Sequence, residues 1–322
     1  MENVFNKVFS KEEINNGRQI ELDITKALCI FFMVLIHALI SLPCAATSNT
    51  GNISYILNTI LCNFTGAGAF MICMGIGFNY TKHKDDYKYF ITRGISILII
   101  GYLLNFVRNL FLVFVTAKIT NKFNYSSIVF ELLDVDILQF AGLTMITFGI
   151  FKKLNVKSFS IFIFSIICSL FVTLIPIFTI DDAIINGVTG LIFPYKIVEY
   201  KTLHTGFPFL NWLIFPAFGY CFSYYLKRVK NKNIFWGFFI CIAFIVFSIY
   251  ALFAMQKKIG LFSPNDVVYY HINTLNACVN IICSLGLIGI IYFISLILPE
   301  NIKKINTILF TNINQIYCIH WV

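Results

Sequence analysis

LDITKALCIFFMVLIH, Leu22 to His37, decides what kind of molecule this is. After Lys26 come ten residues, Ala27–Ile36, without a single charge. Extended from Ile24 to Leu42, the run is long enough to cross roughly 30 Å of hydrocarbon at about 1.5 Å of rise per residue. Apolar residues follow one another rather than alternating, so the stretch is not a barrel strand. Lipid offers no partners to an open backbone, which leaves a helix as the way to cross.

Working outward, the same pattern recurs at Tyr55–Tyr80, Tyr89–Val115, Ile128–Phe151, Ser158–Phe178, Pro208–Leu226, Ile234–Ala254, Leu275–Leu298 and Ile305–Val322. Composition agrees: 58% of residues are hydrophobic and 12% charged, against about 25% charged in a soluble domain. The expectation is an all-α integral membrane bundle of about nine spanning helices, each near the length that a bilayer demands. The first twenty-five residues are polar and show no cleavable signal, so the first apolar run reads as an uncleaved span. The chain stops at Val322 inside an apolar run. Residues 1–322 are therefore read as a single transmembrane domain truncated at its C-terminus, with a tenth helix in the full-length chain.

Formal charge is +9. In a soluble protein that would suggest nucleic acid, but the basic residues lie between the apolar blocks and no nucleic-acid motif is present. Threading the chain through its expected spans puts 17 Lys and Arg on the side of the N-terminus and 6 on the other, with Arg108 inside a span. Positive charge stays inside. The N-terminus is expected in the cytoplasm and the protein in a bacterial inner or plasma membrane. On the outer side, Thr179–Phe207 contains a half-apolar stretch, Ala183–Val198, that suits a re-entrant or interfacial segment. The ten cysteines sit mostly inside apolar blocks and form no CxxC pair, so they read as small hydrophobes.

Ionisable residues inside spans are where chemistry is sought. Lys26 and His37 are eleven residues apart, three helical turns within about 20°, on one face and about 16 Å apart in depth. Asp23 lies on nearly the same face, three residues before Lys26. His37 is a candidate general base. The structural alternative makes it a packed hydrogen-bonding residue, with Lys26 snorkelling to the headgroups. Arg108 falls about 22 Å beyond Arg93 along the third span, where Glu131, Asp134 or Asp136 could pair with it. Gln139 extends that polar face by one turn. Such a group is either a structural ion pair or an acceptor-binding site.

His204 and His271 fall near outer span mouths, His83 in a basic inner loop, and His320 at a depth similar to that of His37. No spacing shows the three or four convergent ligands of a zinc site, and no metal is expected. Gly66–Ala67–Gly68 and Gly75–Ile76–Gly77 lack the Lys-Ser/Thr end of a phosphate loop and read as helix packing or room for a cofactor arm.

Several of these segments resemble membrane-bound acyltransferase family three. The opening Asp23–x–x–Lys26 with His37 eleven residues on is similar to its first-helix signature, and the Asp–x–x–Arg opening is shared with heparan-α-glucosaminide N-acetyltransferase-like proteins. FPFLNWLIFPAFGY (Phe207–Tyr220), INQIYCIHWV (Ile313–Val322) and VDILQFAGL (Val135–Leu143) resemble later helices in the family order. Lys26 stands where the family has Arg, keeping the charge but losing the planar fork, and a paired-arginine motif is reduced to Arg93.

The resemblance implies an enzyme that moves an acyl group, usually acetyl from acetyl-CoA, onto a hydroxyl or amine of a saccharide or other cell-envelope acceptor. His37 and Asp23 would be its catalytic residues. Lys26, Lys82, Lys84 and Arg93 would hold the acyl-CoA. Arg108, Asp136, Gln139, His204 and His320 would meet the saccharide or lipid-linked acceptor. The alternative is a transporter or flippase for a lipid-linked substrate, with His37 and Arg108 lining its path. Nothing in the sequence sets an oligomeric state.

Overall fold

Continuously apolar blocks have one way to satisfy their backbone groups in lipid, and the described residues are accordingly helical, with no strand among them. The structure, a computed structural model, describes residues 6–41, 66–120, 132–174, 183–193, 206–257, 269–303 and 312–321. In chain order the helices are α1 (Ile20–Ser41), α2 (Ala67–Tyr80), α3 (Tyr87–Asn105), a π-helical turn (Phe106–Leu110) and α4 (Phe111–Thr120). They continue with α5 (Ile137–Lys153), α6 (Ser158–Leu174), α7 (Ala183–Gly190), α8 (Phe209–Trp212) and α9 (Ile214–Leu226). The last three are α10 (Lys232–Lys257), α11 (Thr274–Ile297) and α12 (Ile313–His320). Three stretches among the described residues are long and apolar enough to cross a membrane: Tyr87–Ile119, Lys232–Lys257 and Thr274–Ile297.

Local signals explain the boundaries. Asp86 caps α3 by accepting from the backbone N–H of Lys88 (3.0 Å) and Tyr89 (3.2 Å). Asp136 and Gln139 form a capping box at the start of α5, with the Gln139 Oε1 accepting from the Asp136 N–H at 3.2 Å. Both arrangements satisfy donors that a helix start leaves unpaired. Past the end of α5, Asn155 takes the left-handed conformation (φ 53°) and turns the chain into α6, a geometry that asparagine tolerates better than most residues.

The described residues form two compact units. One gathers those of Met1–Lys82, Phe215–Tyr269 and Leu275–His320. In it α2 and α9 touch backbone to backbone: a Cβ at Gly75 would meet the Pro216 carbonyl, and one at Gly219 the Ile72 carbonyl. α10 and α11 pack in the same way, with the Gly286 position against Ala243 and the Gly289 position 3.0 Å from the Trp236 carbonyl. Asn276, Asn280 and Ser284 form a buried polar line on α11; Tyr250 donates to Asn276 (2.9 Å) and Ser284 to Asn280 (3.1 Å).

The polar N-terminal stretch is itself built into this unit. Ser10 N–H donates to the Arg228 carbonyl (2.7 Å), Ile14 and Asn15 N–H to that of Lys227 (both 2.9 Å), and Lys230 N–H to that of Val8 (2.6 Å). Phe9 and Val229 form an isolated antiparallel bridge, and Glu13 pairs with Lys227 (3.5 Å) and Arg228 (3.4 Å). Residues 8–15 thus lie as a strap along the α9–α10 connection.

The other unit gathers the described residues of His83–Ile214, Tyr270–Thr274 and Trp321–Val322. Its centre is the antiparallel pair α3–α5. A Cβ at Gly94 would stand 2.7 Å from the Gly142 carbonyl, and one at Gly142 would stand 2.8 Å from the Gly94 carbonyl. Gly101 faces the Gln139 side chain and Gly149 faces Ile91. Small residues at these four positions let the helices approach more closely than side chains would permit. The FPFLNW stretch anchors the turn before α11: Trp212 Nε1 donates to the Tyr270 carbonyl (2.7 Å) and Asn211 Nδ2 to that of Ile272 (3.2 Å). Of the expected re-entrant stretch, Ala183–Gly190 is the helix α7, and the carbonyls of Leu191 and Ile192 accept from Phe209 and Leu210.

Candidate functional site

Three turns above Lys26 on α1, the His37 imidazole meets the last described helix. Its Nδ1 lies 3.1 Å from Nε2 of His320, and the two rings meet edge to edge, with centroids 5.4 Å apart and planes 21° from parallel. His320 closes α12, where its Nδ1 bonds to the backbone carbonyl of Tyr317 one turn back. The Tyr317 ring, 2% exposed, packs edge-on against His320 at 5.1 Å. Sequence spacing placed these two histidines at similar depth; the structure brings them into one hydrogen-bonded pair. Tyr317, which holds the second ring, was not among the expected site residues, although its place in the Ile-Tyr-x-x-His segment marked it.

The N-terminal end of α1 is organised separately. Asp23 is buried and its carboxylate accepts from Arg18 Nε. Fourteen residues separate Asp23 from His37, about 21 Å along the helix, so the structure does not bring these two together. Glu21, also buried, pairs with Lys232 at 2.7 Å, and Gln19 Oε1 accepts from the same ammonium at 2.5 Å. Lys26 reaches across to α2, where a Cβ on Gly77 would lie 3.7 Å from its Nζ. Lys82 stands exposed just past α2.

In the second unit, Lys84 and Arg93 are exposed, and the Lys84 carbonyl accepts from Lys152 Nζ at 2.5 Å. Arg108 sits within the π-helical turn, a feature that re-aims side chains and is frequent at functional positions. Its guanidinium donates to Asp134 (3.1 Å), Asp136 (3.0 Å) and Asn109 Oδ1 (3.0 Å), and it lies over the Trp321 ring at 4.1 Å. The Arg108 side chain is 11% exposed and those of Asp134 and Asp136 are 17% and 20%.

Asn105, 1% exposed, secures the partner strand of chain by donating to the carbonyls of Leu132 (3.1 Å) and Asp134 (2.7 Å). Gln139 is buried below Asp136; its Oε1 serves the capping box, and its Nε2 has no hydrogen-bond partner among the described residues. Arg108, Asp136 and Gln139 therefore do come together, around a guanidinium already engaged on all three nitrogens. Asn105 and Trp321 were not foreseen. A polar residue three positions before Arg108 inside an apolar block was the available signal for the first; nothing in the sequence pattern singles out the second.

His204 lies outside the described residues, as does Glu131. His271 is half-buried in the turn before α11. Among the described residues no three His, Cys, Asp or Glu side chains converge as metal ligands would.

Residues 19–322 match a family model described as an acyltransferase domain, that of acyltransferase family 3. No curated protein and no solved structure matches the chain.

Proposed function

Because the chain belongs to acyltransferase family 3, we propose that it transfers an acetyl or other short acyl group from acyl-CoA to a hydroxyl or amine of a cell-envelope saccharide, with His37 as the general base. The observation that carries this reading is the bonded pair of imidazoles, His37 on α1 and His320 on α12, since ionisable side chains within apolar spans mark functional positions by default. His37 takes the proton of the acceptor hydroxyl or amine as the oxygen or nitrogen attacks the thioester carbonyl. The carbon–sulfur bond then breaks, and the departing CoA sulfur receives the proton.

The remaining roles follow the charges. In this reading the chain crosses the membrane about nine times, starting from the cytoplasm, as one transmembrane domain. Lys26 and Lys82 in one unit, and Lys84 and Arg93 in the other, supply the positive charge on the inner side that a polyanionic CoA requires. Asp23 balances that inner end through Arg18. Acceptor contacts fall to Asp136, Gln139 and the outer segment containing His204, with Arg108 holding Asp136 in place. Gln139 Nε2, buried and without a partner among the described residues, is the donor best suited to a hydroxyl. The bacterial inner or plasma membrane is the compartment in which such a donor and such an acceptor lie on opposite sides.

The test is transfer of label from radiolabelled acetyl-CoA in membranes that carry the chain, with a panel of cell-envelope saccharides. His37→Ala, at equal expression, is expected to lower transfer by about 10³-fold, within the range of general-base contributions. Undiminished transfer by the variant would remove His37 from the chemistry. Absence of both acetyl-CoA binding and transfer in the folded protein would favour a transporter of lipid-linked substrates.

A further inference from the structure

Two neutral imidazoles joined by one hydrogen bond share a single proton between the facing nitrogens, and which ring supplies it is settled by what the other nitrogens do. His320 Nδ1 lies against the backbone carbonyl of Tyr317. A carbonyl oxygen only accepts, so His320 Nδ1 carries the hydrogen. In a neutral ring Nε2 of His320 then holds a lone pair. That lone pair faces His37 Nδ1 at 3.1 Å, so the hydrogen of this second bond belongs to His37. With Nδ1 of His37 protonated, its lone pair is on Nε2.

From this chain of bonds we infer that His320 is a positioning residue: it holds His37 as the Nδ1–H tautomer, so that His37 presents its basic lone pair on Nε2. The chemistry is that of any base oriented by a second group, with an imidazole backed by a peptide carbonyl doing what a carboxylate does elsewhere. The rings lie near one plane, 21° apart, and the edge of Tyr317 against His320 fixes the plane in which the bond forms. When His37 gains a proton on Nε2, its Nδ1–H becomes a charge-assisted donor to the same His320 nitrogen, and the bond strengthens as the proton is taken. This assignment differs from the acceptor-binding role that the sequence alone suggested for His320. It rests on the proposed function only for the word base; the tautomer itself is a property of the folded chain.

The experiment uses the full chain with ¹⁵N-labelled histidine in lipid nanodiscs, at about pH 8.5, two units above the ordinary imidazole value of about 6.5, so that the rings are neutral. Two-bond ¹H–¹⁵N correlation spectra separate Nδ1–H from Nε2–H rings among the five histidines, and His37→Gln identifies the His37 signals. His37 is expected as Nδ1–H in the wild type and mostly as Nε2–H in His320→Ala. His320→Gln, whose amide oxygen can accept in place of Nε2, is expected to restore the Nδ1–H form.

An Nε2–H tautomer at His37 in the wild type overturns the inference, and so does a tautomer unchanged by His320→Ala. In the transfer assay, kcat is expected to fall at least about tenfold in His320→Ala with KM for the acyl donor little changed, and to recover in part in His320→Gln. A raised KM with unchanged kcat overturns the positioning role in favour of substrate contact. If the spectra are as expected and no variant or wild type transfers label, the tautomer stands and the acyltransferase reading is what fails.

Discussion

Arg108 illustrates how much one side chain can be asked to hold in an apolar setting. One guanidinium stands between two carboxylates, those of Asp134 and Asp136, and against the face of Trp321. Removing the cation leaves two like charges beside each other with little water, a loss on the order of 3–5 kcal/mol for a broken buried pair. Removing one anion leaves an ordinary ion pair. Arg108→Leu is therefore expected to lower the melting temperature in detergent much more than Asp134→Asn, which sacrifices one charged hydrogen bond worth about 1.5–3 kcal/mol. Equal melting temperatures for wild type and Arg108→Leu would remove the stabilising role of the node. Arg108→Lys is expected to fall between the two, since an ammonium cannot span both carboxylates as the planar fork does. At this scale the sequence was legible wherever a charge interrupted an apolar block: an arginine there needs an anion at its own depth, and Asp134 and Asp136 were in view. Trp321 was not, because an aromatic residue in an apolar run looks like any other.

Between helices the deciding residues are the ones with no side chain. Gly94, Gly101, Gly142 and Gly149 lie on the contact face of α3 and α5, each pair seven residues apart. Their close approach sets the register that carries Arg108 to the level of Asp134 and Asp136. Gly142→Leu would drive a side chain into the Gly94 carbonyl and Leu98; overpacking of this kind costs about 1–3 kcal/mol. It is expected to lower thermal stability and to loosen the Arg108 node with it. Gly237 on α10 is the control, because a Cβ there has nothing within 4 Å. Gly237→Ala is expected to be neutral or stabilising by up to about 1 kcal/mol through helix propensity alone. A Gly142→Leu variant as stable as Gly237→Ala would show that the close approach carries no energy. The existence of these helices could be read from the sequence, whereas their pairing could not. Lipid and a neighbouring helix are equally apolar, so hydrophobicity does not say which face turns to which. The seven-residue glycine spacing gains its meaning only once α3 and α5 are paired. The π-helical turn left no sign in the sequence, since its backbone bonds do not depend on a residue pattern. The strap of residues 8–15 was hidden in part for the same reason, since backbone bonds hold it to the α9–α10 connection alongside the Glu13 and Asn15 side chains.

Across the whole molecule, the distribution of Lys and Arg remains the organising argument for orientation. It predicts that a cysteine at position 84 is cytoplasmic and one at position 257 is outside, both lysines being exposed in the fold. In a background with the ten native cysteines replaced, an impermeant maleimide is expected to label Lys257→Cys in intact cells. Lys84→Cys is expected to react only after the membrane is opened. The reverse pattern would invert the topology, and with it the side proposed for the acyl donor. One consequence of the His37–His320 bond concerns how the protein is made. The two residues are 283 positions apart, and translation proceeds at about 5–20 residues per second, so His37 leaves the ribosome on the order of tens of seconds before its partner exists. Lys232, which holds Glu21, and the loop that receives the strap are also synthesised long after α1. With α1 as the expected first span, His37 and Glu21 are made long before their partners, whereas Asp23 already has Arg18 upstream of it. A first span of this kind would carry His37 and Glu21 on its surface until the later helices arrive to cover them.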